Sequence, residues 1–175
     1  CCYQPNNPNR DVGEVTERSQ HGLPEDAFVF SCFNHHWKYT REQITVWKRI
    51  LDQCPDSVIW IMENVGKTDL VQIFSDLGIA KNRLIVSPLT HPKQHLERIR
   101  HANLFLDTFP CGAHTTASDS VFAGVPVLNR MGDAFHTRVS ASIMAHASSA
   151  EFICTSDEEY IGKATTCYEQ PEILS

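Results

Sequence analysis

Apolar residues recur along this chain in two alternating rhythms. Short runs rich in β-branched and aromatic side chains occupy residues 28–33, 58–62, 83–86, 103–107, 125–128 and 151–154. Runs of that length between polar segments predict strands buried on both faces. Between them, apolar positions recur every three or four residues. Segment 41–54 puts Ile44, Trp47, Ile50 and Leu51 on one helical face, and 67–77 does so with Leu70, Ile73, Phe74 and Leu77. Segments 91–101, 118–123, 137–146 and 157–163 complete the predicted helices. Pro92 suits a helical first turn, and Gly78 stands where a left-handed C-terminal cap belongs.

Strand–helix repeats without a hairpin signal predict an α/β domain. The expected fold is a doubly wound, Rossmann-like parallel sheet of about six strands in the order 3-2-1-4-5-6. In that order the chain reverses direction across the sheet between strands 1 and 4. Ligands bind in the crevice outside the carboxyl ends of those strands. The loop after strand 1, Asn34-His35-His36-Trp37-Lys38, carries a cation and two imidazoles. After strand 4 comes Gly112-Ala113-His114-Thr115-Thr116-Ala117-Ser118-Asp119. Small residues and hydroxyls at a strand-to-helix turn make an anion site, because the free N–H groups and the helix dipole both favour negative charge. His114, Thr115 and Thr116 add side-chain donors for a phosphate, and Asp119 offers an acceptor to a ribose. The two polar loops are predicted to face each other across the switch point.

Composition narrows the partners. The 175 residues are 42% hydrophobic and carry a formal charge of −6, so a real core is expected and a broad nucleic-acid surface is not. A local basic cluster is expected around Lys93, Arg98 and Arg100. No apolar stretch approaches the roughly 20 residues of a membrane-spanning helix. The seven cysteines are odd in number and include no C-x-x-C pair, which argues against a disulfide framework or a zinc knuckle. Cys32 and Cys154 lie in apolar runs and are expected as buried thiols, with the cytoplasm as the default compartment. Residues 1–24 are polar and read as a linker or arm, and 25–175 as the ligand-binding domain. The opening Cys1-Cys2-Tyr3-Gln4-Pro5 reads as part of a longer chain.

The motifs that are missing also matter. Strand 1 is not followed by G-x-G-x-x-G, and no G-x-x-x-x-G-K-[ST] occurs, so neither a dinucleotide turn nor a P-loop is expected. No Asp pair suggests a Mg²⁺ site. His91 and His95 have the i, i+4 spacing of a metal pair, but Pro92 intervenes and no third ligand is evident, so no metal is expected. A lysine and a helix N-terminus holding phosphate suit a reaction in which a nucleoside diphosphate departs and its growing charge is stabilised.

Residues 18–159 resemble the C-terminal half of the catalytic region of protein O-GlcNAc transferases, including the bacterial, tetratricopeptide-repeat-linked and SPINDLY-like members. The matching words run in order: Arg18-Ser19-Gln20-His21-Gly22-Leu23-Pro24-Glu25-Asp26-Ala27, then Phe33-Asn34 with Lys38, Asn82-Arg83 and Ser87-Pro88. They continue with His95 and Arg98, Leu106-Asp107-Thr108, His114-Thr115-Thr116 with Asp119, Ala123-Gly124, Gly132 and Arg138-Val139-Ser140-Ala141-Ser142. The segment Cys2-Tyr3-Gln4-Pro5-Asn6 looks like the connector of bacterial members.

The resemblance implies the C-terminal half of a GT-B glycosyltransferase, the half that binds UDP-GlcNAc. It implies inverting, metal-independent transfer of GlcNAc to Ser or Thr of a protein or peptide, with no cofactor beyond the sugar donor. By position it makes Lys38 catalytic through the diphosphate, His114, Thr115 and Thr116 phosphate ligands, and Asp119 the ribose partner. It sets His95 and Arg98 around the uracil. His35 stands where animal members have a glutamine near the nucleotide, and a family lysine near the uridine aligns with Pro92, one residue before Lys93. The tetratricopeptide repeats and the N-terminal catalytic half, which supply much of the acceptor site, have no counterpart here, so this segment is expected to bind UDP and to catalyse poorly. Two other readings fit the same residues: a non-catalytic UDP-sugar-binding scaffold, and a related UDP-glucose-dependent protein glucosyltransferase.

Overall fold

The computed structural model describes residues 7, 9–63 and 69–174. The connector-like segment 2–6, Cys1 and the first two residues of the predicted helix 67–77 lie outside the described residues. Six strands form one parallel sheet: β1 Phe28–Cys32, β2 Ser57–Met62, β3 Leu84–Ser87, β4 Leu104–Leu106, β5 Val127–Arg130 and β6 Ile153–Cys154. Their order is β3-β2-β1-β4-β5-β6, the doubly wound arrangement anticipated from the chain. β1 pairs with β2 from Phe28↔Ser57 to Cys32↔Ile61 and with β4 through Phe30↔Leu104 and Ser31↔Phe105. Every residue of β1 and β4 is buried, as strands covered by helices on both faces must be.

The helices are α1 Arg41–Gln53, α2 Leu70–Asp76, α3 Pro92–Ile99, α4 Thr115–Phe122, α5 Val139–His146 and α6 Asp157–Glu169. Thr40 caps α1 by accepting from Gln43 N–H, and the helix buries Ile44, Trp47, Ile50 and Leu51. Trp47 and Tyr39 close on Phe74 of α2, and α1 packs on α6. On the opposite face, α3 packs on α4 and α4 on α5. Pro92 opens α3, and Gly78, at φ 86°, follows the end of α2 as a left-handed residue whose N–H bonds Ser75 O. Cys32 and Cys154 are fully buried free thiols, and burial pushes the Cys154 thiol up to about 12. No helix among the described residues is long and apolar enough to cross a membrane.

Several boundaries differ from the sequence expectation, three of them for reasons visible in the structure. The fifth strand begins at Val127 rather than at 125, because Gly124 sits at φ 85° and Pro126 has no N–H to give a ladder. The sixth helix runs past 163 to Glu169, with Ala164 and Cys167 continuing the buried stripe of Tyr160 and Ile161. The fourth helix starts at Thr115, three residues before 118, because its first turn is polar and shows no apolar periodicity.

Candidate nucleotide-binding site

The site forms where β1 and β4 part company. Phe33 and Asn34 follow the end of β1, and both are buried. The Asn34 side chain spans the switch point: its Nδ2 donates to Thr108 Oγ1 at 2.8 Å and to Asp107 Oδ1 at 3.2 Å, while its Oδ1 accepts from Thr116 Oγ1 at 2.5 Å. Below it, Tyr39 Oη lies 2.8 Å from the Cys32 carbonyl and 2.7 Å from that of Asn34, which fixes the start of the loop.

Asp107, at the carboxyl end of β4, organises the turn that follows. It is 1% exposed. Its Oδ1 accepts from the Thr108 and Ala113 amides at 2.7 and 2.6 Å, and its Oδ2 from Asn129 Nδ2 at 3.1 Å and from Ser140 Oγ. Burial raises its carboxyl above the usual range, and these hydrogen bonds oppose that rise. Gly112 is required beside it, since a Cβ there would meet Asp107 Oδ2 and the His136 carbonyl at 3.1 Å each. The sequence reading passed over Asp107 as a site-building residue. An acid ending an otherwise apolar run was the available signal.

The two polar loops face each other as predicted. Lys38, at the end of a single 3₁₀ turn His36–Lys38, extends its Nζ to Gly112 O at 2.7 Å. His114 is the N-cap residue of α4, and Thr115 and Thr116 are its first helical residues. The first intrahelical bond runs from Ser118 N to His114 O, so the amides of Thr115, Thr116 and Ala117 stand ahead of the ladder at the positive end of the dipole. Burial, with Lys38 beside it, lowers the His114 pKa, so the ring is neutral near pH 7. Thr115 is exposed, whereas the Thr116 hydroxyl is engaged by Asn34.

A cleft of about 280 Å³ lies next to this turn, lined by Phe33, Met62, Leu89, His95, Thr116 and Asp119 among others. It brings together three of the predicted residues, His95, Thr116 and Asp119. Asp119 also pairs through Oδ1 with Arg10, whose guanidinium lies 4.1 Å from the Phe122 ring. That partner comes from the arm and had no signal in the local sequence. His95 stacks edge-on against Phe33 at 5.1 Å and accepts from Arg98 Nε at 3.2 Å through Nδ1. Burial, helped by Arg98, drives the His95 pKa down to about 4.

Arg98 corrects the expectation of a basic surface cluster. It is 3% exposed, donates to Pro88 O at 2.7 Å, and lies 5.0 Å over the Phe33 ring. Burial lowers its pKa to about 10, and its Nη2 is buried without a hydrogen-bond partner. Lys93 is tied to Asp11, and Arg100 points outward as a single exposed residue. His95 and Arg98 share a helix face as their spacing required, yet Arg98 lines a neighbouring cavity rather than the His95 cleft. His35 is exposed and stacks on His36 at 4.4 Å. His91 caps α3, its Nδ1 accepting from Lys93 N–H at 3.4 Å.

Comparison with known proteins agrees with this geometry. The chain is 32% identical over 166 residues to an Arabidopsis thaliana protein named "Probable UDP-N-acetylglucosamine–peptide N-acetylglucosaminyltransferase SEC", covering 93% of this chain and 17% of that one. It is 28% identical over 152 residues to the Caenorhabditis elegans UDP-N-acetylglucosamine–peptide N-acetylglucosaminyltransferase, covering 86% of this chain and 13% of the relative. The chain thus spans less than a fifth of the length of these relatives. A solved mutant O-GlcNAc transferase of Thermobaculum terrenum superposes with a TM-score of 0.81 at 23% identity, over 99% of this chain and 32% of that one, a likeness of fold. The sheet order and that likeness agree with the GT-B architecture expected from the sequence. The profile of glycosyl transferase family 41 matches residues 6–175, and the chain belongs to that family.

Proposed function

We propose that this chain is the donor-binding half of an inverting, metal-independent glycosyltransferase that carries GlcNAc from UDP-GlcNAc to Ser or Thr of a protein. One observation carries the reading: Lys38 Nζ and the N-terminal turn of α4 converge at the carboxyl ends of β1 and β4, with Lys38 2.7 Å from Gly112 O. A diphosphate seated there meets a cation on one side and free amides on the other. As the sugar–phosphate bond breaks, charge grows on the departing UDP, and these fixed donors stabilise it without reorganising. The His114 ring already bonds the His136 backbone, and an anionic diphosphate favours its protonated form, whose second N–H donates to the same oxygens. The 280 Å³ cleft takes the nucleoside, with Asp119 Oδ2 facing the ribose while Arg10 holds Oδ1. The acceptor hydroxyl enters from a part of the enzyme outside this chain.

Calorimetric titration of UDP tests the reading. The wild-type chain binds, and Lys38→Ala and His114→Ala each weaken binding by about 1.5–3 kcal/mol, the worth of one charge-assisted bond. A folded wild-type chain that takes up no UDP at millimolar concentration refutes it. Competition between UDP-GlcNAc and UDP-glucose reports which sugar the donor carries.

A further inference from the structure

Away from the cleft, on the other side of the Phe33–Trp60 pair, the arm meets α3 at a cluster of metal-ligating side chains. His21 Nε2, a Glu97 carboxylate oxygen and His101 Nε2 all lie within 4.8 Å of one another. His101 Nε2 is 3.4 Å from Glu97 Oε1, and His21 Nε2 is 3.9 Å from Glu97 Oε2. Glu97 and His101 are buried, and His21 is half-buried against the Trp60 ring at 5.6 Å. The Thr16 hydroxyl sits among them, 2.8 Å from His21 Nε2, 3.1 Å from His101 Nε2 and 2.5 Å from Glu97 Oε1.

We infer that His21, Glu97 and His101 form a binding site for a divalent transition-metal ion of the zinc class, which clamps the N-terminal arm to α3. Two imidazoles and one carboxylate are a ligand set that zinc favours over magnesium or calcium, which prefer all-oxygen cages. Tetrahedral zinc with bonds near 2.0–2.1 Å needs ligand atoms about 3.4 Å apart. One of the three pairs already has that spacing, and the other two, within 4.8 Å, close by small side-chain rotations. Thr16, His21 and Glu97 also line a cavity of about 390 Å³, which gives the ion an entry path and room for a water as fourth ligand. Arg98, one residue along, opposes positive charge here, but its guanidinium is directed to Pro88 O and Phe33 and Glu97 offsets it. The ligands come from segments some 75 residues apart (His21 against Glu97 and His101), so the ion ties the arm to the sheet-covering layer. No local spacing motif reveals them, because His21 is remote from the i, i+4 pair Glu97 and His101.

The test uses tag-free, chelator-treated protein with thiols kept reduced. Adding Zn²⁺ at low micromolar concentration raises the thermal midpoint in a saturable manner, and equimolar Mg²⁺ does not. His101→Gln and His21→Gln each abolish that rise while still unfolding cooperatively. X-ray absorption of the zinc-loaded wild type reports only nitrogen and oxygen ligands, with scattering from two imidazoles, and this holds whether or not a variant folds. A flat response to zinc, an equal rise in both variants, an equal effect of Mg²⁺, or sulfur in the coordination shell each overturns the assignment.

Discussion

Two regions flank the switch point, and they are built by opposite means. On the side proposed for the diphosphate, Lys38 and the 114–116 turn are polar and partly exposed, and the turn is ordered by a buried acid, Asp107, that accepts from the loop after β1, its own loop, β5 and α5. On the side proposed for the nucleoside, the walls are Phe33, Met62, Leu89 and Leu96 with His95, which a ring contact and burial hold in place while Arg98 backs Phe33 from the neighbouring cavity. On the proposed reading the polar half binds by aimed donors, which demand close backbone placement, and the apolar half by shape, which tolerates small shifts but penalises charge. Removing an organising hydrogen bond therefore harms the first half most, and adding a proton harms the second.

Breaking the hub has the largest expected effect. Asp107→Ala leaves the Ala113 and Thr108 amides and the Asn129 side chain without their acceptor, and urea unfolding then reads a loss of about 3–4 kcal/mol. Lys38→Ala separates binding from folding: UDP affinity falls by the amount given above, while the unfolding midpoint stays within about 0.5 kcal/mol because the side chain is only half-buried. The nucleoside side responds to acid. The folded-state pKa of His95 is about 4, below its unfolded value of about 6.5, so its neutral form stabilises the fold fully above that value. That contribution, about 3 kcal/mol, is lost as pH falls from about 6.5 to 4. Burial lowers His21 and His114 in the same direction, so the measurement is the difference between wild type and His95→Gln across that window. An unchanged slope in the variant sinks the account of a buried neutral ring. The smallest effect belongs to Lys93, whose pair with Asp11 is exposed at both ends. Lys93→Ala changes stability and UDP affinity by under about 0.5 kcal/mol each. A larger drop in affinity restores a basic surface patch as part of the site.

Much of this was legible in the chain. The β1 and β4 runs announced themselves because strands buried on both faces must be apolar throughout. Six repeats without hairpins pointed to a doubly wound sheet, and the order 3-2-1-4-5-6, chosen from that class, is the one the structure has, with Lys38 meeting the turn after β4. The start of α4 was misplaced because a helix whose first turn faces a ligand carries no apolar stripe. Arg98 was expected with His95 around the uracil, and its burial over the Phe33 ring was not legible because sequence reports a residue's charge but not the ring it lies against.

The sequence by itself determined the strand–helix alternation and the two polar loops, since periodicity and turn chemistry are local, while the strand order that makes those loops converge was decided by the tertiary structure. Only the tertiary structure decided which polar groups are engaged and which stand open. Asp107 gathering side-chain donors from Asn34, Asn129 and Ser140, Asn34 holding the Thr116 hydroxyl, Arg10 reaching Asp119, and Thr16 and His21 meeting Glu97 and His101 all join residues distant in the chain. Contacts of that kind are fixed by packing and burial, which no spacing along the sequence encodes.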